Sequence, residues 1–563
     1  MKQFLFACIL FSCMNACSYG QDRIYSTIPM SGSMFNDPAI RKVNIALAAI
    51  ENLYVDTVNN NKLAEDAIVS LLEKLDPHSA YLTADEVKES NEPLQGNFEG
   101  IGIQFNMLTD TLYVIQVIKG GPSERVGIMA GDKIIFVDDT LIAGVKMKQL
   151  DVMSKLKGPK GTTVRVKILR SGSPELLDFR IIRDKIPVYS VSSYYMIDKK
   201  NGYIKLDRFA KTTYQEFKEA MVELQAQGME NLVLDLQDNG GGYLEAAIEL
   251  SNEFLNPGSL IVYTEGVHQR REEARSSNNG SFRKGRLVIL IDETSASASE
   301  IVSGAVQDWD RGVLIGRRTF GKGLVQRPIP LPDGSMIRLT TARYYTPTGR
   351  SIQKPYTKGD LESYNKDLID RYNRGEMISA DSIHFPDSLK YTTLIKNRTV
   401  YGGGGIMPDY FIPVDTTSAL FAGATTPLYR EIYNKSILVK YVRTLIEANR
   451  KIYQERYPNL NAFKKDFTVT DDMLNEMLNI YKKEKAEDLK QETYQLTEQQ
   501  QKDLEKSKSF CAMQVKMLVA REIFSENEYY QLLNPVLIDS YKKAVEIISD
   551  EKTYNQLLNQ DRR

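Results

Sequence analysis

The sequence has few of the side chains that most often act as catalytic bases or metal ligands. Its 563 residues include 3 histidines and 4 cysteines. His78 follows a proline turn, and His268 and His384 stand in charged, loop-like stretches. No His-Glu-x-x-His or Gly-x-Ser-x-Gly motif occurs, so neither a zinc protease nor the usual α/β-hydrolase is indicated. We therefore predict no metal and no cofactor.

Long apolar runs are also missing, apart from one near the start. Residues 4–14 are apolar but too short to span a bilayer unaided, and they stand between Lys2 and a group of small residues. This pattern predicts a signal peptide over residues 1–20. A rival interpretation reads residues 14–17 as a lipobox that makes Cys17 a lipidated N-terminus. Either way, we expect an exported protein of the periplasm or cell envelope.

The cysteine positions and the charge balance exclude further classes. Three of the four cysteines lie in the first twenty residues, so cleavage there leaves Cys511 alone, without a disulfide partner in the chain. Lys and Arg (72) nearly balance Asp and Glu (73), which gives no global field for nucleic acid or anionic lipid. No later stretch approaches a membrane span in length, so we expect no transmembrane segment in the mature chain.

Hydrophobic periodicity divides the chain into regions of different type. Residues 36–95 repeat apolar positions at helical spacing, and residues 96–187 alternate like the strands of a small β module. Strands and amphipathic helices alternate over 188–415, around a polar insertion at 355–395, which favours βα units and a largely parallel sheet. Residues 416–563 are heavily charged, and we expect mostly solvated helices there. The predicted fold class is a multidomain α+β protein.

One segment, residues 292–300 (DETSASASE), holds three serines between an apolar run and an amphipathic run. Ser297 stands three residues before Glu300, which is the spacing of a helix capping box. Capping is therefore one interpretation of this serine. The other is catalytic, because the segment follows a buried strand at the sheet edge where α/β proteins bind ligands. Helix N-terminal N–H groups, including that of Ala298, can stabilise an oxyanion there.

A second oxyanion donor is predicted in the glycine-rich loop 238–242 (DNGGG), which ends the neighbouring βα unit. Its bare backbone can approach a reacting carbonyl through Gly241 or Gly242. The alternative is a tight turn that needs glycine for a positive φ. The two interpretations are compatible.

A lysine is the best candidate for the base that a serine nucleophile requires. Burial can lower the pKa of a lysine until its neutral amine accepts protons. Lys322 lies between two glycines, and Gln326 shares its face on an extended segment. Residues 316–323 come close to the P-loop pattern of nucleotide-binding proteins. However, Gly323 replaces the required Ser or Thr, and the following prolines exclude the required helix, so a nucleotide site is not indicated.

These motifs, with several others, match a known family in content and order. The sequence resembles the C-terminal processing peptidases, also called tail-specific proteases, of the Ser–Lys type of family S41. The resemblance covers roughly residues 38–415 and implies a crotonase/ClpP-like α/β protease core with an inserted PDZ-like β module and flanking helical regions. The matching segments are, in order, LDPHSAYL, GNFEGIGIQF, GGPSERVGIMAGDKIIFVDD, GYIKLDRFAKTTYQEF, LVLDLQDNGGG, SASASEIVSGAVQDW, RTFGKGLVQ and YGGGGIMPD.

The resemblance implies roles for three residues. Ser297, the middle serine of SASAS, is the expected nucleophile, Lys322 the general base and Gln326 the residue that supports the lysine. The usual family pattern at this loop is DLRxNPGG. This chain has Gln237 in place of the arginine and Gly240 in place of the proline. The dyad is therefore intact, while the oxyanion loop departs from the family pattern.

The β module at 96–187 resembles a PDZ domain. Its segment Gly100, Ile101, Gly102, Ile103 is similar to a carboxylate-binding loop, whose N–H groups capture a free C-terminus while the peptide adds as a strand. The alternative is a module with a packing role only. The resemblance implies that the module recognises substrate tails and gates the active site.

Taken together, these observations predict an exported serine endopeptidase that forms an acyl-enzyme on proteins or peptides with exposed apolar C-termini, with an adaptor protein as a further candidate partner. Two alternatives remain open at this stage. One is a non-catalytic PDZ scaffold built on an inactive protease core, and the other is different acyl chemistry on a crotonase-like core. The intact Ser297, Lys322 and Gln326 set argues against the scaffold, and the PDZ-like module against the second alternative.

Overall fold

The protein is described from a computed structural model, which covers residues 37–559 except 109, 119 and 171. The predicted signal peptide and the alternative lipidation site at Cys17 lie outside these residues. Among the residues covered, no helix combines the length and the apolar composition needed to cross a bilayer.

The helices of the described chain are, in order, α1 (Pro38–Leu53), α2 (Asn60–Glu73), α3 (Ala84–Asn91), α4 (Pro122–Val126), α5 (Gln149–Leu156), α6 (Thr213–Ala226), α7 (Leu244–Phe254), α8 (Ala298–Asp308), α9 (Leu361–Asn373), α10 (Ala419–Ala424), α11 (Pro427–Asn434), α12 (Ile437–Arg456), α13 (Leu460–Asp466), α14 (Asp471–Leu489), α15 (Glu498–Ile523), α16 (Glu526–Leu537), α17 (Asp539–Ser549) and α18 (Glu551–Asn559).

The strands are, in order, β1 (Ala80–Leu82), β2 (Asn97–Gly100), β3 (Ile103–Leu108), β4 (Thr111–Val117), β5 (Lys133–Val137), β6 (Thr140–Leu141), β7 (Thr163–Leu169), β8 (Leu177–Ile182), β9 (Asp184–Pro187), β10 (Val191–Met196), β11 (Asn201–Leu206), β12 (Asn231–Asp235), β13 (Leu260–Gly266), β14 (Gln269–Arg275), β15 (Leu287–Ile291), β16 (Val313–Gly316), β17 (Leu324–Pro330), β18 (Met336–Tyr345), β19 (Lys390–Thr392), β20 (Thr399–Tyr401) and β21 (Tyr410–Phe411).

These elements form two compact units. Within the described residues, the first unit comprises 37–89, 324–342 and 356–367, and the second comprises 90–323, 343–355 and 368–559.

The first unit contains the predicted N-terminal helices and the LDPHSAYL turn. After α2, the Asp76 carboxylate accepts hydrogen bonds from the backbone N–H groups of His78 (2.9 Å) and Ser79 (3.0 Å) and from the Thr340 hydroxyl (2.8 Å). Ala80 then pairs antiparallel with Arg338 as β1 joins β18. The Asp76 carboxylate therefore stabilises the turn in LDPHSAYL, because it accepts hydrogen bonds from several donors at once. The motif has a structural role here.

The predicted parallel sheet is the centre of the second unit. Its strand order is β10-β11-β12-β15-β16-β21, with β11 through β21 parallel and β10 antiparallel at one edge. Every residue of β12 and β15 is buried, as expected for strands covered on both faces. Because β12 and β15 run side by side in parallel, the loops that follow them meet at one sheet edge.

The expectation of mostly solvated C-terminal helices is wrong. Helices α11 to α15 enclose a core of their own, and Tyr541, Ile547 and Tyr554 of α17 and α18 pack on the central sheet. In α14, Leu474, Met477, Leu478 and Tyr481 are buried at helical spacing. The numerous charged residues lie on the outer faces of the helices. They dominate the composition, so the apolar stripe is not evident from the charge content of the sequence.

The β module of the second unit is an antiparallel sheet of order β3-β4-β5-β7-β8, with β6 beside β5. Its entry and exit strands, β2 and β9, pair antiparallel, Asn97 with Pro187 and Gly100 with Asp184. Strand β3 lies at one edge of the sheet. With this module, the sheet core and the flanking helices, the predicted multidomain α+β class is confirmed.

Candidate active site

Ser297 lies at a sharp strand-to-helix turn. It follows β15 through a short turn and is the N-cap residue of α8, with φ 56° and ψ −111°. A non-glycine residue in this region stores roughly 1–3 kcal/mol of backbone strain, which persists only where the surroundings hold it. A strained serine between a strand and a helix is also the geometry that presents the nucleophile in α/β-hydrolases.

Glu300 holds the backbone of this serine. The Ser297 N–H donates to Glu300 Oε2 at 2.9 Å, which is the reciprocal bond expected of a capping box. The capping interpretation is therefore correct for the backbone of Ser297, and it leaves the catalytic interpretation open.

The glycine loop packs against the serine. The Asn239 carbonyl accepts from the Ala296 N–H at 3.0 Å and from the Ser299 hydroxyl at 2.9 Å. Gly241 has φ +99°, and a Cβ there would lie 2.8 Å from Ser297 Cβ and 2.9 Å from Ala298 N. Only glycine fits this approach, and the structure brings Gly241, Ser297 and Ala298 together.

The two candidate glycines differ in their surroundings. The Gly241 N–H donates to Asn239 Oδ1 at 2.9 Å, within its own loop. Gly242 forms a parallel bridge with Phe209, and a Cβ on Gly242 would lie 2.0 Å from the Phe209 carbonyl oxygen. Both glycines are therefore required by close backbone contacts, and the choice of second oxyanion donor between them stays a prediction.

The lysine segment, Gly321 to Gly323, has no regular structure, and its first half is held by two partners. The N–H groups of Gly321 and Lys322 each donate to the Glu300 carboxylate at 2.8 Å. The Gly321 carbonyl accepts from the Lys354 N–H at 2.9 Å. The half-buried Lys322 thus sits on a fixed backbone.

Tyr344 and Gln353 hold the second half of that segment. The Lys322 carbonyl accepts a hydrogen bond from the Tyr344 hydroxyl, and the Gly323 carbonyl accepts from the Tyr344 N–H at 3.0 Å. The Gly323 N–H donates to Gln353 Oε1 at 2.8 Å. All six backbone polar groups of residues 321–323 are therefore bonded, in a loop without helix or strand.

Glu300 and Tyr344 link the two candidate catalytic residues. Glu300 is fully buried, and its carboxylate also accepts from the Thr319 hydroxyl at 2.5 Å. Burial raises the pKa of Glu300 to about 7, while its hydrogen bonds oppose that rise. The Tyr344 hydroxyl lies 3.2 Å from the Ser297 carbonyl oxygen. It also contacts the Lys322 carbonyl oxygen. Sequence reasoning assigned Glu300 only to capping and missed Tyr344, which no motif marks.

The other predicted residues occupy separate surroundings. Gln326 lies on β17 in the first unit, where its amide donates to the Leu324 carbonyl at 3.0 Å and toward the Thr340 hydroxyl at 3.4 Å. Its support of Lys322 stays a prediction.

The three histidines lie apart from these residues in the sequence. His78 is hydrogen-bonded to the Tyr364 hydroxyl in the first unit at 2.9 Å, and His268 and His384 are exposed. Within the described ranges, no group of histidine, cysteine and carboxylate side chains is arranged to hold a metal.

The predicted carboxylate-binding loop, Gly100 to Ile103, is tied into the β module. The Ile101 carbonyl accepts from the Ser123 hydroxyl at 2.7 Å, and Gly102 has φ +77° with Ile186 directly beside it. The side chains of Ile101 and Ile103 belong to the buried core of the module, so neither presents exposed apolar surface at this loop. Leu150 on α5 is 66% exposed, and α5 ends beside Gly100.

Comparison with known proteins places these features in a family. Residues 200–363 match peptidase family S41, residues 100–181 match the PDZ domain, and residues 428–525 match a family of unknown function. The chain is 37% identical over 309 residues to a carboxy-terminal-processing protease of Bartonella bacilliformis, which covers 54% of this chain and 70% of that protein.

Two further relatives carry similar names. Over 346 residues the chain is 33% identical to the carboxy-terminal processing protease CtpA of Bacillus subtilis, covering 61% of this chain and 73% of that protein. A solved photosystem II D1 C-terminal processing protease shares 29% identity over 55% of this chain and 88% of its own, with a TM-score of 0.32. The extent of the match to the two sequence relatives establishes that this chain is a serine-type enzyme of peptidase family S41 and belongs to the carboxy-terminal-processing proteases.

Proposed function

We propose that the protein is an exported serine endopeptidase that selects substrates by their C-terminal tails and cleaves them with a Ser297–Lys322 dyad. The observation that carries this proposal is the shared support of the two residues. Glu300 bonds the backbone N–H of both, and the Tyr344 hydroxyl contacts the carbonyl oxygen of both. Such double support fixes the nucleophile and the base relative to each other, as acyl transfer requires.

In the proposed reaction, Ser297 Oγ attacks the scissile carbonyl carbon while the neutral Lys322 amine accepts the hydroxyl proton. The tetrahedral oxyanion is stabilised by the Ala298 N–H and by an N–H of the Gly241–Gly242 segment. The C–N bond then breaks, Lys322 passes the proton to the leaving amine, and an acyl-enzyme forms. Water attacks the ester in the second half of the reaction, with Lys322 again as base. Gln326 is proposed to orient the lysine amine.

The PDZ module is proposed to select the substrate. Strand β3 offers a sheet edge to which an extended peptide can add, and the loop Gly100 to Ile103 would receive its terminal carboxylate. The exposed Leu150 lies near the start of α5, the helix whose last residue adjoins Gly100, and it offers apolar surface, which favours apolar tails. Residues 1–20 would direct export to the periplasm or cell envelope, with anchoring at Cys17 as the alternative. An adaptor protein that presents substrates is compatible with this scheme.

A tailed reporter tests the function. Purified protein is incubated with an unfolded reporter protein that carries, or lacks, an apolar C-terminal tail. We expect faster cleavage of the tailed form, and no cleavage of either by Ser297→Ala. No cleavage of either form by the wild type would favour the non-catalytic scaffold.

Leu150→Glu tests the tail site without disturbing the core. We expect the KM for the tailed reporter to rise about tenfold, equivalent to roughly 1.4 kcal/mol of lost binding, while a small ester is still hydrolysed. Val267→Glu, at a 95% exposed position outside the module, is the matched control. A parallel loss of ester hydrolysis in Leu150→Glu would indicate that the module also gates the site, and an unchanged KM would contradict this tail site.

A further inference from the structure

The C-terminal helices reach the loop that carries the glycines. Ser540, the second residue of α17, is 3% exposed, and its hydroxyl donates to Gln237 Oε1 at 2.8 Å. Gln237 directly precedes the loop 238–242. Ser540 lies far outside the residues that match peptidase family S41. A segment with no counterpart in that match therefore bonds the base of a candidate oxyanion loop.

Gln237 is bonded through its backbone as well as its side chain. Its N–H donates to Asp235 Oδ1 at 2.9 Å, and its carbonyl accepts from Lys205 Nζ at 3.0 Å. The Ser540 bond adds the third contact. Of these three contacts, only the Ser540 bond comes from outside the central sheet. The sheet therefore fixes the backbone of Gln237, and α17 fixes the position of its side chain.

A short, hydrogen-bonded loop connects Gln237 to the residues beside Ser297, so a shift of Gln237 would also displace them. Asn239, two residues later, donates from Nδ2 to the Leu206 carbonyl at 2.8 Å, and its Oδ1 accepts from the Gly241 N–H. Gly241 then packs against Ser297. Three residues separate Gln237, the partner of Ser540, from Gly241, whose backbone packs against the predicted nucleophile.

The residue type at 237 fits this arrangement. The family pattern has arginine there, which offers hydrogen-bond donors and no acceptor. A glutamine supplies the acceptor that the Ser540 hydroxyl uses, and it adds no second cation beside the buried Lys205. The departure from the family pattern and the C-terminal segment are thus two parts of one arrangement.

We propose that Ser540, acting through Gln237, is a positioning residue for the oxyanion loop, so that helix α17 belongs to the support of the active site. This inference rests on the proposed function, in which the loop supplies an oxyanion donor. Ser540 does not touch the reacting atoms. Its effect is expected on the stabilisation of the tetrahedral intermediate and not on the binding of the tail.

The test compares four variants of the full-length protein: Ser540→Ala, Gln237→Met, the double variant and the control Ser549→Ala. Ser549 stands at the other end of α17, and its hydroxyl accepts from Asn201 Nδ2 at 3.2 Å, at the start of β11. For each variant we measure kcat and KM on the tailed reporter, inhibition by a peptide aldehyde that forms a tetrahedral adduct with serine, and the unfolding midpoint.

We expect Ser540→Ala and Gln237→Met each to lower kcat about tenfold, less than the roughly hundredfold loss on deleting an oxyanion donor outright. Aldehyde inhibition should weaken by a similar factor, with KM within about twofold since tail binding is untouched. The double variant should be no worse than either single variant, because both remove the same bond. Ser549→Ala should keep the kcat of the wild type.

Three results would overturn the inference: a Ser540→Ala kcat equal to that of the wild type, fully additive losses in the double variant, or losses in Ser549→Ala that match those in Ser540→Ala. A wild-type protein that cleaves neither reporter nor ester and does not bind the aldehyde would instead contradict the proposed function, and this inference with it.

Discussion

The two loops that carry the candidate dyad are built in opposite ways. The serine loop lies directly between a buried strand and helix α8, and Glu300 of that helix bonds the Ser297 N–H. The lysine loop has no regular structure of its own and is held by side chains and backbone from elsewhere, namely Glu300, Tyr344, Gln353 and Lys354. The position of a nucleophile can thus be local, while that of its base depends on the tertiary fold.

This difference predicts where each loop is vulnerable. Substitutions near Ser297 act on geometry that the strand and helix largely restore. Substitutions far from Lys322 in sequence act on it directly, because Tyr344, Gln353 and Lys354 bond the backbone of residues 321–323. The following variants test that contrast, from the largest expected effect to the smallest.

Removing the base should have the largest effect. Lys322→Ala should lower kcat at least about a thousandfold, since residues that act as one catalytic unit are each nearly indispensable. Lys322→Arg should be equally inactive, because arginine keeps the positive charge but cannot be deprotonated. The exposed Lys200→Ala is the control. Activity retained in Lys322→Arg would mean that the site needs a cation and not a base, and activity retained in Lys322→Ala would refute the dyad.

Glu300→Gln tests the residue that serves both loops. The carboxylate accepts four hydrogen bonds, two on each oxygen, whereas the amide has one acceptor oxygen and an NH₂ that meets donors. Each buried donor left unsatisfied costs roughly 1–3 kcal/mol. We expect kcat to fall about a hundredfold, equivalent to roughly 2.7 kcal/mol, with tail binding unchanged. Glu249→Gln, exposed on α7, controls for the charge. A wild-type kcat in Glu300→Gln would show that the lysine loop does not depend on this carboxylate.

The sequence allowed prediction of what is local and periodic. The strand–helix alternation of the core, the turn at Ser297 and the placement of Lys322 after a glycine all follow from contiguous residues. Tyr344 was missed because its role depends on the meeting of β18 with a loop twenty-two residues earlier. The core of the C-terminal helices was missed because charged outer faces dominate their composition. The burial of Ile101 and Ile103 depends on how their loop turns inward, which alternation does not reveal.

Tyr344→Phe tests the contact that Tyr344 makes with both loops. It removes one hydroxyl and keeps the ring, so kcat should fall about tenfold, the loss of roughly 1.4 kcal/mol of transition-state stabilisation, with little change in KM. Tyr345→Phe is a closely matched control, because Tyr345 is the next residue on β18 and its ring stacks on Tyr263 at 4.8 Å. Equal losses in the two variants would attribute the effect to β18 as a whole and not to the bond with the Lys322 carbonyl.

The last test measures stability and not kcat, because the burial of Glu300 predicts a dependence of stability on pH. The pKa of Glu300 rises from its ordinary 4.5 to about 7 on burial. Between these values the folded protein keeps a proton that the unfolded chain has released, so this group contributes stability at the acidic end that is lost as the pH rises toward 7. The free energy of unfolding of the wild type should therefore decline relative to Glu300→Gln between about pH 5 and pH 7. Denaturant titrations of both proteins at several pH values measure the difference, with Glu249→Gln following the wild type. A difference that is constant, or that grows in the opposite direction, would mean that the four hydrogen bonds outweigh burial and keep Glu300 ionised throughout.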